Sequence, residues 1–327
     1  MKILIIQLRQ LGDVLLSTPL AQNIKIFYPD SSVYFLTSSQ AEDIVFENLF
    51  IDKVLTLKKG VKHEVEMIYR VRKEGFDAIL DVQRTARSKR ITLFSKAKIK
   101  AAFYKKGNNF PYNTLIKQET KGYTAFERLD LLKAIGIDKP EKLLPSLFFD
   151  SSTEERVKNY LINHNIKNYF VISPTARKQW KMWSLEEFGK LADKISKKLN
   201  LTAVITYGNR EEKEKAKETA EQISNSHIIE KPFSIKEFAA LLKLSKFSVG
   251  NDSFPSHVAV SQGVKTVVIC GPTSGWYPEH KNVLLIYKGL DCQPCNNPEK
   301  CPFNLACYRE LSHEEVLPRV LKFVSEQ

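Results

Sequence analysis

Short runs rich in Ile, Val, Leu and Phe alternate with longer amphipathic stretches along this chain, and the alternation starts twice. In the first half, residues 2–7, 32–36, 53–57, 78–80 and 99–103 read as strands. Helices are expected near 12–27, 39–47, 62–74, 87–95 and 124–135, the last stopping at Gly136. Parallel strands need a crossover long enough to be a helix, so this β-α order implies a parallel sheet covered on both faces. A Pro-bounded loop from Pro140 to Pro145 and a short extended run at Leu147 follow. Ser151 or Ser152 is then expected to cap a helix over 153–163.

The pattern restarts with a strand over 169–173 and a helix over 185–199. Strands over 202–207, 247–250, 266–270 and 283–287 are expected to alternate with helices over 210–223, 234–244 and 256–262. The chain closes on a helix over 312–324, where Ser312 and Glu315 form a capping box. Its 327 residues suit two ordinary α/β domains. The expected fold class is α/β, with two Rossmann-like doubly wound domains facing a cleft. Residues 1–155 form the first, 156–311 the second, and 312–327 a C-terminal helix.

Charge is placed unevenly. Residues 82–118 contain no Asp or Glu but ten Lys or Arg, which is most of the net charge of +13. Such a one-signed stretch attracts polyanions: nucleic acid, an anionic membrane or a phosphorylated substrate. The alternative is a solvated lysine-rich surface. No apolar run is long enough to span a bilayer, and the lone lysine and short apolar run at residues 1–6 read as a buried strand rather than a signal segment. Five cysteines, an odd number, argue for a reducing compartment, so a cytosolic protein is expected.

In doubly wound sheets, ligands sit beyond the carboxyl ends of the strands, so chemistry is sought in the loops there. After the first strand comes Arg9-Gln10-Leu11-Gly12-Asp13. A carboxylate at the start of a helix stays ionised, which suits a general base, although Asp13 would serve equally as a helix cap. No G-x-G-x-x-G follows that strand, so a dinucleotide fingerprint is absent. The first strand of the second half leads into Ser173–Ser184, where hydroxyls and three cations precede a helix. Such a turn can hold a diphosphate, with Lys181 in reach of it and Trp183 in the core. A third loop, Asn251-Asp252-Ser253, puts Asp252 and Ser253 at a helix start and His257 one turn in. A fourth, Gly271-Pro272-Thr273-Ser274-Gly275, either lines the same cleft or is a simple turn.

The opening segment with Gly12-Asp13, the Asn251-Asp252-Ser253 loop with His257, and Gly271-Pro272-Thr273 together resemble glycosyltransferase family 9, the heptosyltransferases of lipopolysaccharide core assembly. The segment Cys292-x-Pro294-Cys295…Cys301-Pro302…Cys307, followed by Arg309-Glu310-Leu311-Ser312, is similar as well. The resemblance implies a GT-B fold, an ADP-heptose donor, an anionic lipid-linked saccharide acceptor (lipid A–Kdo or inner core), inversion at the anomeric carbon and no metal or other cofactor for chemistry. It makes Asp13 the candidate base and Thr175, Lys181, Asp252, Ser253 and His257 candidates for the donor diphosphate. Glu211 or Glu212 becomes a candidate for the nucleoside. Where the family usually has Gly, this chain has Phe254, whose Cβ bears on how closely backbone can approach a phosphate.

On this reading the cations Arg84, Arg87, Lys89, Arg90 and Lys98 bind acceptor phosphates or carboxylates, and the basic stretch holds the protein at the cytoplasmic face of the inner membrane. Cys292, Cys295, Cys301 and Cys307 have a spacing that suits a structural tetrahedral Zn²⁺ or a single iron, with four unlinked thiols as the alternative. A GT-B sugar-nucleotide epimerase would use the same donor loops without a lipid acceptor. A nucleic-acid-binding protein with a cysteine knuckle is the reading from another class. Sparse aromatics in the basic stretch (Phe94, Phe103, Tyr104) and the lack of a binding motif argue against it, so no nucleic-acid partner is expected.

Overall fold

The computed structural model describes residues 1–326; Gln327, the end of the expected C-terminal helical segment, lies outside them. The chain divides into two compact units, Met1–Phe148 and Phe149–Gln327.

The first unit runs β1 (Lys2–Ile6), α1 (Leu11–Leu15), α2 (Thr18–Phe27), β2 (Ser32–Ser38), α3 (Glu42–Val45), β3 (Lys53–Leu57) and α4 (Val61–Glu74). It continues with β4 (Ala78–Asp81), α5 (Ala86–Phe94), β5 (Ile99–Phe103), β6 (Thr114–Ile116) and α6 (Thr124–Leu129). All six strands are parallel, in the order β3-β2-β1-β4-β5-β6. The β1 run is apolar without alternation because both faces of a parallel sheet are covered, and Ile3 to Ile6 are fully buried.

Three local differences from the sequence expectations have identifiable causes. The helix expected over 12–27 is two helices, because Pro19 in the first turn of α2 lacks the N–H that would continue the ladder. Hydroxyls take up the freed carbonyls: Thr18 Oγ1 donates to Leu15 O at 2.8 Å and Ser17 Oγ to Asp13 O at 2.9 Å. The helix expected over 124–135 tightens to a 3₁₀ turn from Asp130, whose carboxylate is occupied by the N–H groups of Glu119 and Thr120. Strand β6 was not anticipated; it is a three-residue edge strand with little apolar signal.

The second unit runs α7 (Ser151–Asn163), β7 (Tyr169–Ser173), α8 (Leu185–Leu199), β8 (Thr202–Ile205), α9 (Arg210–Ala220) and β9 (Ser226–Ile228). Then come α10 (Ile235–Leu244), β10 (Ser248–Asn251), α11 (Phe254–Ser261), β11 (Thr266–Ile269), β12 (Val283–Ile286), α12 (Ala306–Arg309) and α13 (His313–Ser325). Its parallel sheet has the order β12-β11-β10-β7-β8-β9. Counted from β7 this repeats the order of the first unit, so both are Rossmann-like and doubly wound. Helix α7 is capped by Asp150, which accepts from Thr153 N at 2.8 Å, and not by Ser151 or Ser152. The capping box of Ser312 and Glu315 is present as expected.

Each sheet reverses its winding once, between β1 and β4 and between β7 and β10. A crevice opens beyond the carboxyl ends of the strands at such a point, and it is the place to look for a ligand.

Candidate functional site

Asp13 lies in the first turn of α1, directly beyond the carboxyl end of β1. Its carboxylate is held by a guanidinium. Arg128 on α6 donates from Nη2 to Asp13 Oδ1 at 2.5 Å, and from Nη1 to Ser17 Oγ at 2.8 Å and to the Asp13 carbonyl. The Arg128 side chain is 11 % exposed and that of Asp13 is 28 % exposed, so the pair is sheltered but open at the carboxylate. Sequence reasoning missed Arg128, because nothing local marks a residue that acts 115 positions away.

The loop after β4 abuts the loop after β1 across the switch point: Leu8 N donates to Gln83 Oε1 at 2.7 Å. Asp81, at the end of β4, is fully buried. It accepts from Tyr112 Oη at 2.5 Å and from the N–H groups of Gln83 and Arg84. Burial pushes the Asp81 carboxyl up from its ordinary range and, with the charge of Asp81, pushes the Tyr112 hydroxyl far up as well. Arg84 takes a left-handed backbone (φ 56°), unfavourable for a side chain of its size. Its guanidinium lies 5.1 Å from the Tyr112 ring and donates to Asn109 Oδ1 at 3.0 Å and to the Phe103 carbonyl. Arg84 therefore braces this loop from inside.

The other expected acceptor cations are divided. Arg90 makes a forked pair with Glu64 of α4 at 2.5 and 3.0 Å, and Arg87 reaches the same carboxylate at 3.3 Å. The Arg90 hydrogen bond holds the Glu64 carboxyl below its ordinary range. The stretch empty of acids in sequence thus has one in space. Lys98 is exposed and Lys89 half-buried.

In the second unit the loops after β7, β8, β10 and β11 converge. Asn251, fully buried, joins the first and third: its Nδ2 donates to Pro174 O at 2.7 Å, and its Oδ1 accepts from Trp183 N at 2.9 Å. Trp183 is core, as expected, with Nε1 donating to Leu311 O. Lys181 Nζ then meets Asp252 Oδ2 at 2.8 Å, and Thr273 Oγ1 donates to the same oxygen at 2.5 Å. The Asp252 side chain is 2 % exposed, and its other oxygen, Oδ1, is buried with no hydrogen-bond partner. An orphaned acceptor beside a half-buried ammonium is a polar cradle for a ligand that carries donors and negative charge. The rings of Trp180 and Trp276 lie 5.7 and 5.3 Å from Lys181 Nζ. Trp276 had no signal in the sequence beyond its place after the Gly271–Gly275 loop.

Ser253 is the N-cap residue of α11, and its side chain makes no capping bond to the helix. His257 stacks on Tyr277 with centroids 4.5 Å apart, and Tyr277 Oη donates to Ser253 O at 3.2 Å. Phe254 opens the helix without a left-handed backbone, so its backbone conformation does not call for glycine. Thr175 Oγ1 and Gly208 N both donate to Glu212 Oε2, at 3.1 and 2.8 Å. Glu211 is left out: it is strongly exposed and faces Lys215. Gly271 is required by close approach, since a Cβ there would sit 2.2 Å from the Tyr308 ring.

The family model of glycosyltransferase family 9 (heptosyltransferase) matches residues 65–304. The chain belongs to glycosyltransferase family 9. Lipopolysaccharide heptosyltransferase 1 of Campylobacter coli is 25 % identical to this glycosyltransferase over 353 residues, covering 100 % of both chains. A family 9 glycosyl transferase from Veillonella parvula superposes with a TM-score of 0.89 at 19 % identity, covering 100 % of this chain and 98 % of the other. The E. coli heptosyltransferase WaaC with ADP gives 0.76 at 17 % identity, over 99 % and 100 %. A UDP-GlcNAc 2-epimerase from Methanocaldococcus jannaschii reaches 0.51 at 15 % identity, over 99 % and 100 %. The fold is that of the GT-B glycosyltransferases.

The cysteine expectation needs correction. Cys292, Cys295, Cys301 and Cys307 line one small hollow together with Pro272, Leu290 and Phe303. Yet among the described residues no group of three or more His, Cys, Asp or Glu is arranged to hold a metal ion. Cys292 and Cys295 face solvent while Cys307 is buried at α12, so the sequence spacing does not become a tetrahedral ligand set and the structural metal is unsupported. Burial, with the neighbouring thiols, pushes the Cys307 thiol up to about 11. Polar side chains staple this segment to the loop after β11 instead. Gln293 Nε2 donates to the carbonyls of Cys270 and Gly271, and Asn296 Oδ1 accepts from Ser274 N.

Proposed function

We propose that this glycosyltransferase moves a heptose from ADP-heptose onto an anionic inner-core lipopolysaccharide acceptor, with inversion and with Asp13 as general base. The observation that carries the donor half is the Lys181–Asp252–Thr273 cluster at the switch point of the second sheet. Support comes from a relative named as a lipopolysaccharide heptosyltransferase and from a structural neighbour that holds ADP.

An acceptor hydroxyl attacks the anomeric carbon, its proton passes to the Asp13 carboxylate, and the bond from that carbon to the diphosphate oxygen breaks as ADP leaves with the electron pair. Arg128 fixes the direction of the carboxylate before reaction. Lys181 and the positive end of the α11 dipole meet the charge that develops on the diphosphate. Asp252 and Thr273 position Lys181, and Glu212 with Thr175 borders the nucleoside. Ser253 and His257 complete the phosphate side. In the first unit, Arg87, Lys89 and Arg90 of α5 offer positive charge to acceptor phosphates, with Arg84 as internal brace, whereas Lys98 precedes the amino end of β5, at the opposite edge of the sheet from Asp13.

Among the described residues no helix is long and apolar enough to cross a membrane. The protein works as a peripheral enzyme at the cytoplasmic face of the inner membrane, where the lipid-linked acceptor is presented. Incubation with ADP-heptose and a heptose-free inner-core acceptor tests the reading. ADP release matched one-to-one by acceptor gaining a single heptose is expected. Turnover of the donor without any acceptor product would overturn it.

A further inference from the structure

Helix α4 has two apolar faces, and the fold uses only one. Met67 and Val71 pack into the core with Leu4, Ile6, Leu36 and Ile79. On the outside, Val61, Val65 and Tyr69 recur at i, i+4 and i+8 and form a second stripe, 79 %, 59 % and 68 % exposed. Single exposed hydrophobics are ordinary, but three in register along one helix are a built surface. Cations surround them. Helices α4 and α5 pack side by side and carry seven Lys or Arg against three Glu. Glu64 is paired with Arg87 and Arg90, and Glu74 with Lys2 and Lys53. Lys62, Arg70, Arg72 and Lys73 of α4 are exposed around the stripe. Arg72 reaches Phe94 O at 3.2 Å, which brings the exposed Phe94 beside it.

We infer that the outer face of α4, continued onto α5, is the surface by which this protein docks on an anionic lipid bilayer, with Val61, Val65 and Tyr69 entering the headgroup boundary. An amphipathic face with a narrow apolar stripe flanked by Lys and Arg is suited to lying in that interface. A second copy of the chain fits poorly. Three side chains fall far short of the roughly 800 Å² per partner of a stable protein interface, and a symmetric contact would oppose like charges. Nucleic acid would use the cations but leave the valines idle, since valine offers no face for stacking on bases. The inference deepens the peripheral-membrane part of the reading above and rests on it.

Co-sedimentation with vesicles tests it. Wild type should bind phosphatidylcholine vesicles containing about a third phosphatidylglycerol, and bind pure phosphatidylcholine at least tenfold more weakly. The triple variant Val61→Ser, Val65→Ser, Tyr69→Ser and the charge variant Lys62→Glu, Arg70→Glu, Lys73→Glu should each lose tenfold or more on the mixed vesicles. Ile162→Ser, which removes an exposed apolar residue of the second unit, should bind as wild type. Thermal melting confirms that each variant is folded, and turnover of an acyl-free soluble acceptor should stay within threefold of wild type. If wild type binds mixed vesicles and both α4 variants bind equally well, the assignment of this face is overturned while membrane association stands. If wild type binds neither vesicle, the membrane reading itself fails. A wild-type dimer that the apolar variant converts to monomer would give the face to a second copy instead.

Discussion

Replacing Arg128 by Met should cost this enzyme turnover without costing it donor affinity. Arg128 makes three hydrogen bonds around Asp13: one to its carboxylate, one to its carbonyl and one to Ser17 Oγ, which itself donates to the same carbonyl. Two of its nitrogens thus fix both the backbone and the side chain of one residue, and methionine replaces the stem but no donor. The Asp13 carboxylate then rotates freely about its side-chain torsions. Misplacing a reacting group by about 1 Å costs on the order of 10²-fold in rate. A kcat lowered roughly 30- to 100-fold is therefore expected for Arg128→Met, against about 10²–10⁴ for Asp13→Asn, which removes the base outright. Arg128→Lys should recover only part of the loss, because a point charge cannot span carboxylate and carbonyl together. The assay is the initial rate of ADP release at saturating donor and acceptor, with donor affinity measured separately by calorimetry. A double-mutant cycle locates the effect: if Arg128 acts through Asp13, adding Arg128→Met to Asp13→Asn should change little further. Turnover of Arg128→Met within threefold of wild type, or full additivity in the cycle, would refute the reasoning.

Three other outcomes follow from the geometry. Lys181→Ala should weaken donor binding about tenfold or more and destabilise the free protein by roughly 2–4 kcal/mol in denaturant titration, because it leaves the buried Asp252 carboxylate without its cation. Hydrogen bonds from Lys2 and Lys53 lower the Glu74 carboxyl from 4.5 to about 2, so its contribution is full above pH 4.5 and lost as pH falls through about 2. The stability gap between wild type and Glu74→Gln should accordingly close over that window in chemical melts. In thiol titration Cys292 and Cys295 should react at once and Cys307 slowly. Cys270, whose thiol burial pushes up to about 12, should react only on unfolding; rapid reaction of Cys270 in the native state would contradict its place in the core.

Much of the fold was legible because the signals are local. The strands at 53–57, 99–103 and 169–173 and the helix at 185–199 coincide with β3, β5, β7 and α8, each an apolar run or a capped amphipathic stretch with clear stops. Edge strands β6 and β9 were not legible, since three residues carry no period. The loops that form the candidate site were also legible as loops, because they are wherever a strand of a doubly wound sheet ends. Which side chains meet within them was not. Arg128 reaches Asp13 across 115 positions, and Glu64 lies against Arg87 and Arg90 although residues 82–118 contain no acid of their own. A one-dimensional charge count treats that stretch as bare, whereas folding pairs Arg87 and Arg90 with an acid and leaves Lys98 exposed. The cysteines show the opposite error: close spacing brought four thiols around one hollow without setting them as ligands.

The two units share a strand order, and each places an ion pair at its switch point, but the roles within the pairs are inverted. In the first unit the sheltered partner is the cation: the Arg128 side chain is the less exposed of the two, and the Asp13 carboxylate is offered outward. In the second the sheltered partner is the anion: Asp252 is buried, and the more exposed Lys181 is offered. A buried ion cannot relax away from its partner without stranding itself in low dielectric, so it acts as a rigid mount for the other. Glycosyl transfer on the proposed route needs one aimed carboxylate to take a proton and one aimed cation to receive a leaving diphosphate. The same architecture used twice, with the charges exchanged, supplies one of each. Exchanging Asp252 for Asn should therefore cost donor binding through loss of aim in Lys181, although Asn itself repels no phosphate. If Asp252→Asn instead tightens donor binding, as simple removal of a negative charge near a diphosphate would, the mounting argument fails for this unit.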